Sequence, residues 1–197
     1  MTPPPGWVDF RAASARNPAR RRIRIVGNSG SGKTTLARAV AARTGWTHIE
    51  LDAVFWGPGW RQRDPEEGRA MLCELLAAAP GGWVACGNWN RRVGEALDGA
   101  DLIVWLDQPR WRVMPRVVRR TMWRGLTRRE LWHGNRERLG NLLKRDPEEN
   151  IARWAWTRHE AYRRQWIARA AAGDPVLRLS SPREIRAWLR SLPPVAG

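Results

Sequence analysis

The fold of this chain is decided by one stretch, Gly27-Asn28-Ser29-Gly30-Ser31-Gly32-Lys33-Thr34. It matches the pattern G-x-x-x-x-G-K-[ST] in full, with a strand-like run before it and a helix-like run after it. Glycines let the backbone curl so that successive N–H groups point at phosphate oxygens, and the helix that follows adds its positive dipole end. The pattern predicts a loop that binds the phosphates of ATP or GTP, with Lys33 at the β- and γ-phosphates and Thr34 as a Mg²⁺ ligand.

Length and composition indicate one domain that carries a single core. The chain has 197 residues, of which 43% are hydrophobic, and no run approaches the roughly 18 apolar residues that a membrane span needs. We expect residues 1–21, rich in Pro, Ala and Arg, to be a disordered tail, and residues 22–197 to be the folded domain. The tail lacks an apolar signal-peptide core, so we expect a cytoplasmic protein with no membrane partner and with reduced cysteines.

A formal net charge of +16 raises the question of a nucleic-acid partner. Only Lys33 and Lys144 are lysines, so 33 of the 35 basic residues are arginines. Abundant Arg, Ala, Gly, Pro and Trp together are typical of a GC-rich genome, and such a bias raises the charge without selecting for DNA. A nucleic-acid partner is therefore possible but is not favoured, and a small-molecule partner is preferred.

The order of predicted elements indicates an α/β protein. Strands are predicted over 22–26, 47–51, 83–86, 101–106 and 175–179. Helix starts are signalled at Asp64-Pro65, Asp146-Pro147 and Ser181-Pro182, and further helices are expected over 34–43, 109–123 and 136–144. Strands that alternate with helices form a parallel sheet covered on both faces, and ligands then bind at the carboxyl ends of the strands.

Several further motifs resemble those of the small P-loop kinases, the adenylate kinase and shikimate kinase group. The chain is most similar to bacterial adenylate-kinase-like proteins described as "DNA topology modulation" proteins. The residues that carry the resemblance are Ile49 to Asp52, Phe55 to Trp60, Gly87-Asn88, Val104 to Asp107, Glu130 to Glu137 and Ser181 to Glu184.

The resemblance implies a three-layer P-loop NTPase fold with strand order 2-3-1-4-5 and an Arg-rich lid over about 120–136. It implies a kinase that uses ATP and Mg²⁺ to phosphorylate a small acceptor such as a nucleotide or nucleoside. Nucleotide contacts are then expected from the phosphate loop, Asn28, Ser29, Gly30, Ser31, Gly32, Lys33, Thr34 and Thr35, and from Ser181 and Pro182 beside the adenine.

Candidate catalytic residues beyond Lys33 are an acid and three arginines. In related kinases an acid at the position of Asp52 contacts the acceptor or the metal shell, although a turn cap would also explain it. Mobile guanidinium groups stabilise the charge that spreads over the equatorial oxygens during phosphoryl transfer, and they exclude water. The lid region is rich in arginines, and several of them are expected to form only a solvated face. We select Arg120, Arg128 and Arg136 as the candidate catalytic arginines.

The acceptor is expected to lie beyond the second and third strands. Candidate contacts are Trp56 and Arg63 in and after the Trp-rich loop, Gly87 and Asn88 after strand three, and Asp52 itself. Tryptophans of this region could stack a base or a sugar, or simply pack at the rim.

One departure from the family pattern concerns the metal. Related proteins carry Asp where this chain has Cys86, so Asp52 and Thr34 become the candidate metal ligands, with Asp107 less favoured. Two other functions therefore remain: a catalytically weakened nucleotide-binding protein, and an ATP-dependent nucleic-acid-binding regulator. The three histidines show no metal-ligand spacing, and we assign them no catalytic role.

Overall fold

A computed structural model describes residues 7–8, 21–147 and 149–195 of the chain. Within these residues five strands form one parallel sheet: β1 Arg22–Gly27, β2 Thr47–Glu50, β3 Trp83–Cys86, β4 Leu102–Leu106 and β5 Val176–Leu179. Their order is β2-β3-β1-β4-β5. The structure confirms the predicted fold class, an α/β P-loop NTPase fold with the phosphate loop after the central strand.

The described residues form six α-helices: α1 Lys33–Thr44, α2 Leu51–Phe55, α3 Pro65–Ala77, α4 Arg110–Leu126, α5 Ile151–Ala171 and α6 Pro182–Ser191. Short 3₁₀ turns lie at Pro58–Trp60, Trp132–Gly134 and Leu139–Leu143. Two predicted helix starts are confirmed. Asp64 accepts from the backbone of Glu66 at 2.8 Å to begin α3, and Ser181 forms a capping box with Glu184 to begin α6.

The stretch between α4 and α5 differs most from the expectation. The helix predicted over 136–144 is wrong, because only the 3₁₀ turn Leu139–Leu143 forms there. The start predicted at Asp146 is also wrong: Asn150 caps α5, its side chain accepting from the backbone of Ala152 and Arg153. Local signals misled here because tertiary contacts, not propensity, decide which cap is used.

A second difference between prediction and structure concerns the position of Asp52. The sequence suggested that strand two runs to Leu51 and ends at Asp52, but β2 stops at Glu50 and α2 begins at Leu51. Asp52 therefore lies in the first turn of a helix, and its side chain leaves the plane of the sheet toward the phosphate loop.

The core lies on both faces of the sheet. Ile23 and Ile25 of β1 pack with Leu36 and Val40 of α1 on one face. Trp105 of β4 packs with other buried side chains, including those of α5, on the other. These side chains are almost completely buried, and each contributes about 1.5–3 kcal/mol through the apolar area removed from water.

Arg24 interrupts this apolar pattern in the middle of the sheet. It is 1% exposed, its guanidinium lies 5.7 Å from the ring of Trp166, and Nη2 donates to Asn90 at 2.6 Å. Desolvation lowers the pKa of Arg24 to about 10. Arg24 is thus a structural link between β1, α5 and the loop after β3.

Two residues of the predicted tail are part of the fold. Trp7 forms a bridge with Val176 of β5, and its ring lies 6.0 Å from that of Trp105. Val8 donates a backbone hydrogen bond to Val176 at 2.9 Å. They depart from the expected loose tail, whose other residues, apart from Arg21, lie outside the described part. No helix in the described ranges is long and apolar enough to cross a bilayer.

Candidate active site

The phosphate loop curls between β1 and α1 with the geometry that its glycines allow. Gly30 and Gly32 have φ of 78° and 99°, values that favour glycine. A Cβ on Gly30 would lie 2.6 Å from Val117 of α4, whereas a Cβ on Gly32 would meet nothing within 4 Å. The loop is thus packed on one side and open on the other, as a phosphate cradle requires.

Lys33 lies across the mouth of this loop. Its Nζ donates to the carbonyls of Gly27 at 2.9 Å and Asn28 at 3.0 Å. Burial lowers the pKa of Lys33 to about 8, and the charge of Arg120 adds to this effect while Asp52 opposes it. A desolvated ammonium group of this kind gains most when an anion binds beside it.

Thr34, the predicted metal ligand, has an acidic neighbour that the sequence analysis missed. Its hydroxyl donates to Glu50 Oε1 at 3.2 Å, and Cys86 Sγ lies 3.9 Å from the same hydroxyl. Glu50 pairs with Cys86 across β2 and β3. The signal that could have found Glu50 is its place at the end of β2, beside Cys86 of β3, where the family resemblance leads us to expect an acid.

Cys86 itself remains a neutral thiol. It is buried, His48 Nε2 lies 3.3 Å from its Sγ, and desolvation raises the pKa of Cys86 to about 12. Because metals bind the thiolate rather than the thiol, Glu50 is the better candidate at Thr34. Within the described ranges no group of three or more His, Cys, Asp and Glu residues is arranged to hold a metal by itself.

Asp52 faces the phosphate loop from α2. Trp89 Nε1 donates to Asp52 Oδ1 at 2.7 Å. Burial raises the pKa of Asp52, and the hydrogen bond from Trp89 and the charge of Lys33 partly oppose the rise. A carboxylate with a raised pKa beside a lysine is the arrangement expected of a general base.

The three predicted arginines lie along one cleft of about 2670 Å³, together with the phosphate loop and Asp52. Arg120 is closest to the loop, with Nη2 donating to Ser29 Oγ at 3.1 Å. Arg136 is exposed and pairs with Glu130 at 2.7 Å. Arg128 is exposed in the turn after α4, with φ of 47°. Arg120 thus contacts the phosphate loop, and the other two arginines line the cleft farther from it.

An aromatic wall forms the side of the cleft beyond Asp52. The ring of Trp56 lies 5.5 Å from that of Trp60 and 5.1 Å from that of Trp89, both edge to face. Trp60 contacts Trp132 at 6.3 Å, and Trp89 stacks on Phe55 at 5.3 Å. We call residues 53–61 the tryptophan loop and residues 128–138 the arginine segment.

Several residues that were predicted to contact the nucleotide or the acceptor direct their side chains away from the cleft or do not line it. Arg63 does not line the cleft; it donates to the Val54 carbonyl at 2.9 Å and pairs with Glu67. Asn28 turns its side chain to the Ala155 carbonyl of α5, at 2.6 Å. Gly87 also lies off the cleft, and its φ of 142° places it against Leu51.

Other predicted contacts do reach the cleft. Thr35 and Pro182 line it, whereas Ser181 does not, because its hydroxyl caps α6. Asn88 lines it, and its Oδ1 accepts from the Gly27 backbone at 3.3 Å.

Asp107 is a structural residue. It is buried at the end of β4, where its Oδ2 lies 2.6 Å from Arg178 of β5 and its Oδ1 lies 3.1 Å from Arg163 of α5. The next residue, Gln108, is 2% exposed and lines the cleft with both amide atoms unpaired. No pattern in the sequence pointed to Gln108.

The residues of the cleft fit a nucleoside triphosphate with Mg²⁺. The open cradle around Gly32, the buried cation of Lys33 and the guanidinium of Arg120 match the charge of phosphates. The pair of Thr34 and Glu50 supplies the oxygen ligands that Mg²⁺ prefers. The sheet order and the loop together define an α/β protein with a P-loop NTPase fold.

Comparison with known proteins finds no matching family model and no matching curated sequence. Among solved structures the chain is similar to a gluconokinase from Sinorhizobium meliloti 1021, at 19% identity and a TM-score of 0.49, covering 89% of this chain and 93% of that one. It is also similar to the shikimate kinase from Bacteroides thetaiotaomicron, at 14% identity and a TM-score of 0.49, covering 86% and 94%.

A third similar structure is the shikimate kinase from Acinetobacter baumannii in complex with shikimate, at 17% identity and a TM-score of 0.47, covering 92% of this chain and 93% of that one. At these levels the substrates of such enzymes say nothing about the acceptor of this chain. The fold assignment rests on the sheet order and the phosphate loop.

Proposed function

We propose that the chain is a P-loop kinase that uses ATP and Mg²⁺ to phosphorylate a hydroxyl group of a small acceptor. One observation carries this proposal: Asp52, a half-buried carboxylate with a raised pKa, lies between the phosphate-loop lysine and a wall of tryptophans. A simple nucleotide-binding protein needs the loop but has no use for a base facing it.

Each residue of the site has a separate role in the proposed reaction. The acceptor hydroxyl gives its proton to Asp52 as its oxygen bonds the γ-phosphorus, and the bond to the β,γ-bridging oxygen breaks to leave ADP. Lys33 and Arg120 hold the negative charge that develops on the phosphoryl oxygens. Mg²⁺, when bound, neutralises the β- and γ-phosphates; Thr34 and Glu50 would hold it.

The acceptor side favours a molecule with a planar or apolar ring face. Trp56, Trp60 and Trp132 expose aromatic edges and faces along the cleft, and aromatic rings bind such faces well. Arg63, a candidate contact of the acceptor, instead binds the Val54 carbonyl and pairs with Glu67. We therefore favour a nucleoside or another ring that carries a hydroxyl group.

The test is a phosphoryl-acceptor screen with ATP and Mg²⁺ over nucleosides, nucleotides and small hydroxyl compounds. We expect acceptor-dependent ADP release that Lys33→Ala abolishes. The control is Arg145→Ala, which removes an exposed cation that does not line the cleft and should leave turnover intact. ADP release that no acceptor stimulates would rule out the kinase.

A second candidate function is supported by the outer face of α4 and α5. Trp111 and Trp156 are 68% and 53% exposed. Arg112 stacks on Trp111 with 4.6 Å between guanidinium and ring centre, and Arg110 stacks on Trp156 at 5.1 Å. Exposed tryptophans beside arginines suit single-stranded nucleic acid, so an ATP-dependent nucleic-acid-binding regulator is the alternative.

The salt dependence of nucleic-acid binding distinguishes the two candidate functions. A regulator would bind DNA or RNA with an affinity that falls steeply with salt and changes when ATP is added. Trp111→Ala would weaken that binding without altering the charge. Weak binding that neither ATP nor Trp111→Ala affects would leave the kinase as the sole function.

A further inference from the structure

The arginine segment is fastened to the tryptophan loop by a buried amide. Asn135 is 4% exposed, and both ends of its side chain are used. Its Oδ1 accepts from the backbone N–H of Trp60 at 2.8 Å, and its Nδ2 donates to the carbonyl of Gly57 at 2.8 Å. A buried amide that satisfies two backbone groups of another loop is costly to remove, because both partners would be left unpaired.

Two further hydrogen bonds join the same two segments. His133 Nε2 lies 2.8 Å from the carbonyl of Ala53. Trp60 Nε1 donates to the carbonyl of Arg136 at 3.2 Å, so the backbone of a predicted catalytic arginine is held directly by the tryptophan loop. The two segments are therefore joined at several points, through Ala53, Gly57 and Trp60 on one side and residues 133, 135 and 136 on the other.

The backbone at this junction is held in uncommon conformations. Among the described residues three non-glycine residues have positive φ, and two of them lie here: Trp60 at 59° and His133 at 56°. Gly59 and Gly134 beside them are also positive, at 68° and 75°. Such conformations persist where the surroundings fix them, and they are found at sites where position matters.

The arginine segment is also linked to the phosphate loop. Arg124 Nη1 donates to Glu137 at 2.8 Å. Arg120, one turn earlier on α4, donates to Ser29 at 3.1 Å. A continuous set of contacts thus runs from the phosphate loop through α4 and Asn135 to the tryptophan loop.

We propose that Asn135 is a positioning residue that couples the acceptor side of the cleft to its nucleotide side, so that the tryptophan loop and the arginine segment move as one body. This inference rests on the proposed kinase function. Its consequence is that nucleotide bound at the phosphate loop orders the tryptophan loop, and that an acceptor seated among the tryptophans fixes Arg136 over the phosphates. Water is then excluded only when both sides are in place.

Hydrogen–deuterium exchange of the full chain, with and without ATP and Mg²⁺, tests this coupling. In the unmodified chain we expect ATP and Mg²⁺ to slow exchange both at 27–34 and at 53–61. In Asn135→Ala the protection at 27–34 should remain and that at 53–61 should disappear. Without nucleotide, residues 53–61 and 130–138 of this variant should exchange about tenfold faster, by a similar factor in both.

Two further variants make the result decisive. His133→Ala removes a bond at an exposed position and should weaken the same protection to a smaller extent. Asn141→Ala changes the same residue type six positions farther on, where no described hydrogen bond of its side chain reaches the tryptophan loop, and should behave as the unmodified chain. A merely structural role for Asn135 would not single out the nucleotide-dependent protection of 53–61.

Two results would overturn the proposal: protection of 53–61 by nucleotide that persists in Asn135→Ala, or faster exchange in one segment alone. Failure of ATP and Mg²⁺ to protect 27–34 in the unmodified chain would instead contradict the proposed nucleotide binding. The nucleotide-free comparison would still decide the coupling, since equal acceleration supports it and unequal acceleration refutes it.

Discussion

Trp89 Nε1 donates a hydrogen bond to Asp52 Oδ1 over 2.7 Å, and this bond joins the loop after β3 to the first turn of α2. It lowers the pKa of a carboxyl group that burial raises. The charge state of Asp52, and with it the proposed base, therefore depends on a tryptophan of the acceptor wall. If the Trp89 donor is lost, less opposes the effect of desolvation, and the pKa of Asp52 rises further.

Trp89→Phe should raise the pKa of Asp52 further while keeping the aromatic contact with Phe55. A hydrogen bond donated to the carboxylate favours its charged form, so its loss favours the protonated acid. A carboxyl ¹³C titration should show the shift, and the acid limb of the pH–rate profile should move to higher pH with it. Trp56→Phe, which removes a neighbouring indole without this bond, should leave the Asp52 titration in place.

The pH dependence of nucleotide binding should follow the titration of Lys33. Its pKa is lowered to about 8, so the cation is present below that pH and is lost as the pH rises through it. Affinity for ATP should therefore fall above about pH 8, well before an ordinary lysine would titrate. Lys33→Arg, whose charge persists, should remove this pH dependence; an unchanged affinity across pH 8 in the unmodified chain would contradict the assignment.

Glu50→Gln should raise the Mg²⁺ concentration needed for nucleotide binding by about tenfold, because it removes the carboxylate beside Thr34. Asp52→Asn should change turnover more than the Mg²⁺ requirement. Titration of both variants with Mg²⁺ at fixed ATP distinguishes the two carboxylates. A larger Mg²⁺ effect from Asp52→Asn would restore the metal role that the sequence suggested for Asp52.

Cys86→Asp should tighten Mg²⁺ binding and destabilise the metal-free protein. The new carboxylate would replace a neutral thiol beside Glu50, and two adjacent carboxylates repel each other until a cation bridges them. Thermal unfolding should show a lower Tm than the unmodified chain without Mg²⁺ and a larger rise when Mg²⁺ and ATP are added. Cys73→Asp, at an exposed thiol, should alter neither.

Asp107→Asn should reduce the free energy of unfolding by about 2 kcal/mol, because it removes a buried carboxylate that pairs with Arg163 and Arg178. The loss is moderate because both arginines are partly exposed and can still be solvated. Nucleotide affinity should be unchanged, since Asp107 faces β5 and α5 and not the phosphates. Chemical denaturation checks the first expectation and ATP binding the second. Asp101→Asn, at a more exposed pair with Arg22, should cost less than about 1 kcal/mol.

Local patterns predicted the elements that local chemistry controls. The phosphate loop, the sheet order implied by the family motifs, and the caps at Asp64 and Ser181 all agree with the structure. The largest failure lies between α4 and α5, where the helix over 136–144 does not form. There the chain follows its contacts with the tryptophan loop, and no short-range signal records them.

Local patterns were sufficient for the phosphate loop and the α/β fold, because a glycine-rich loop between a strand and a helix turns its N–H groups toward an anion and strand–helix alternation favours a layered parallel sheet. The choice of side chains that serve the site depended on tertiary packing. This packing placed Glu50 at Thr34, committed Arg63 to Val54, and joined Asn135 to Trp60 across 75 residues. Such pairs depend on how distant segments pack in three dimensions, which spacing along the chain does not record.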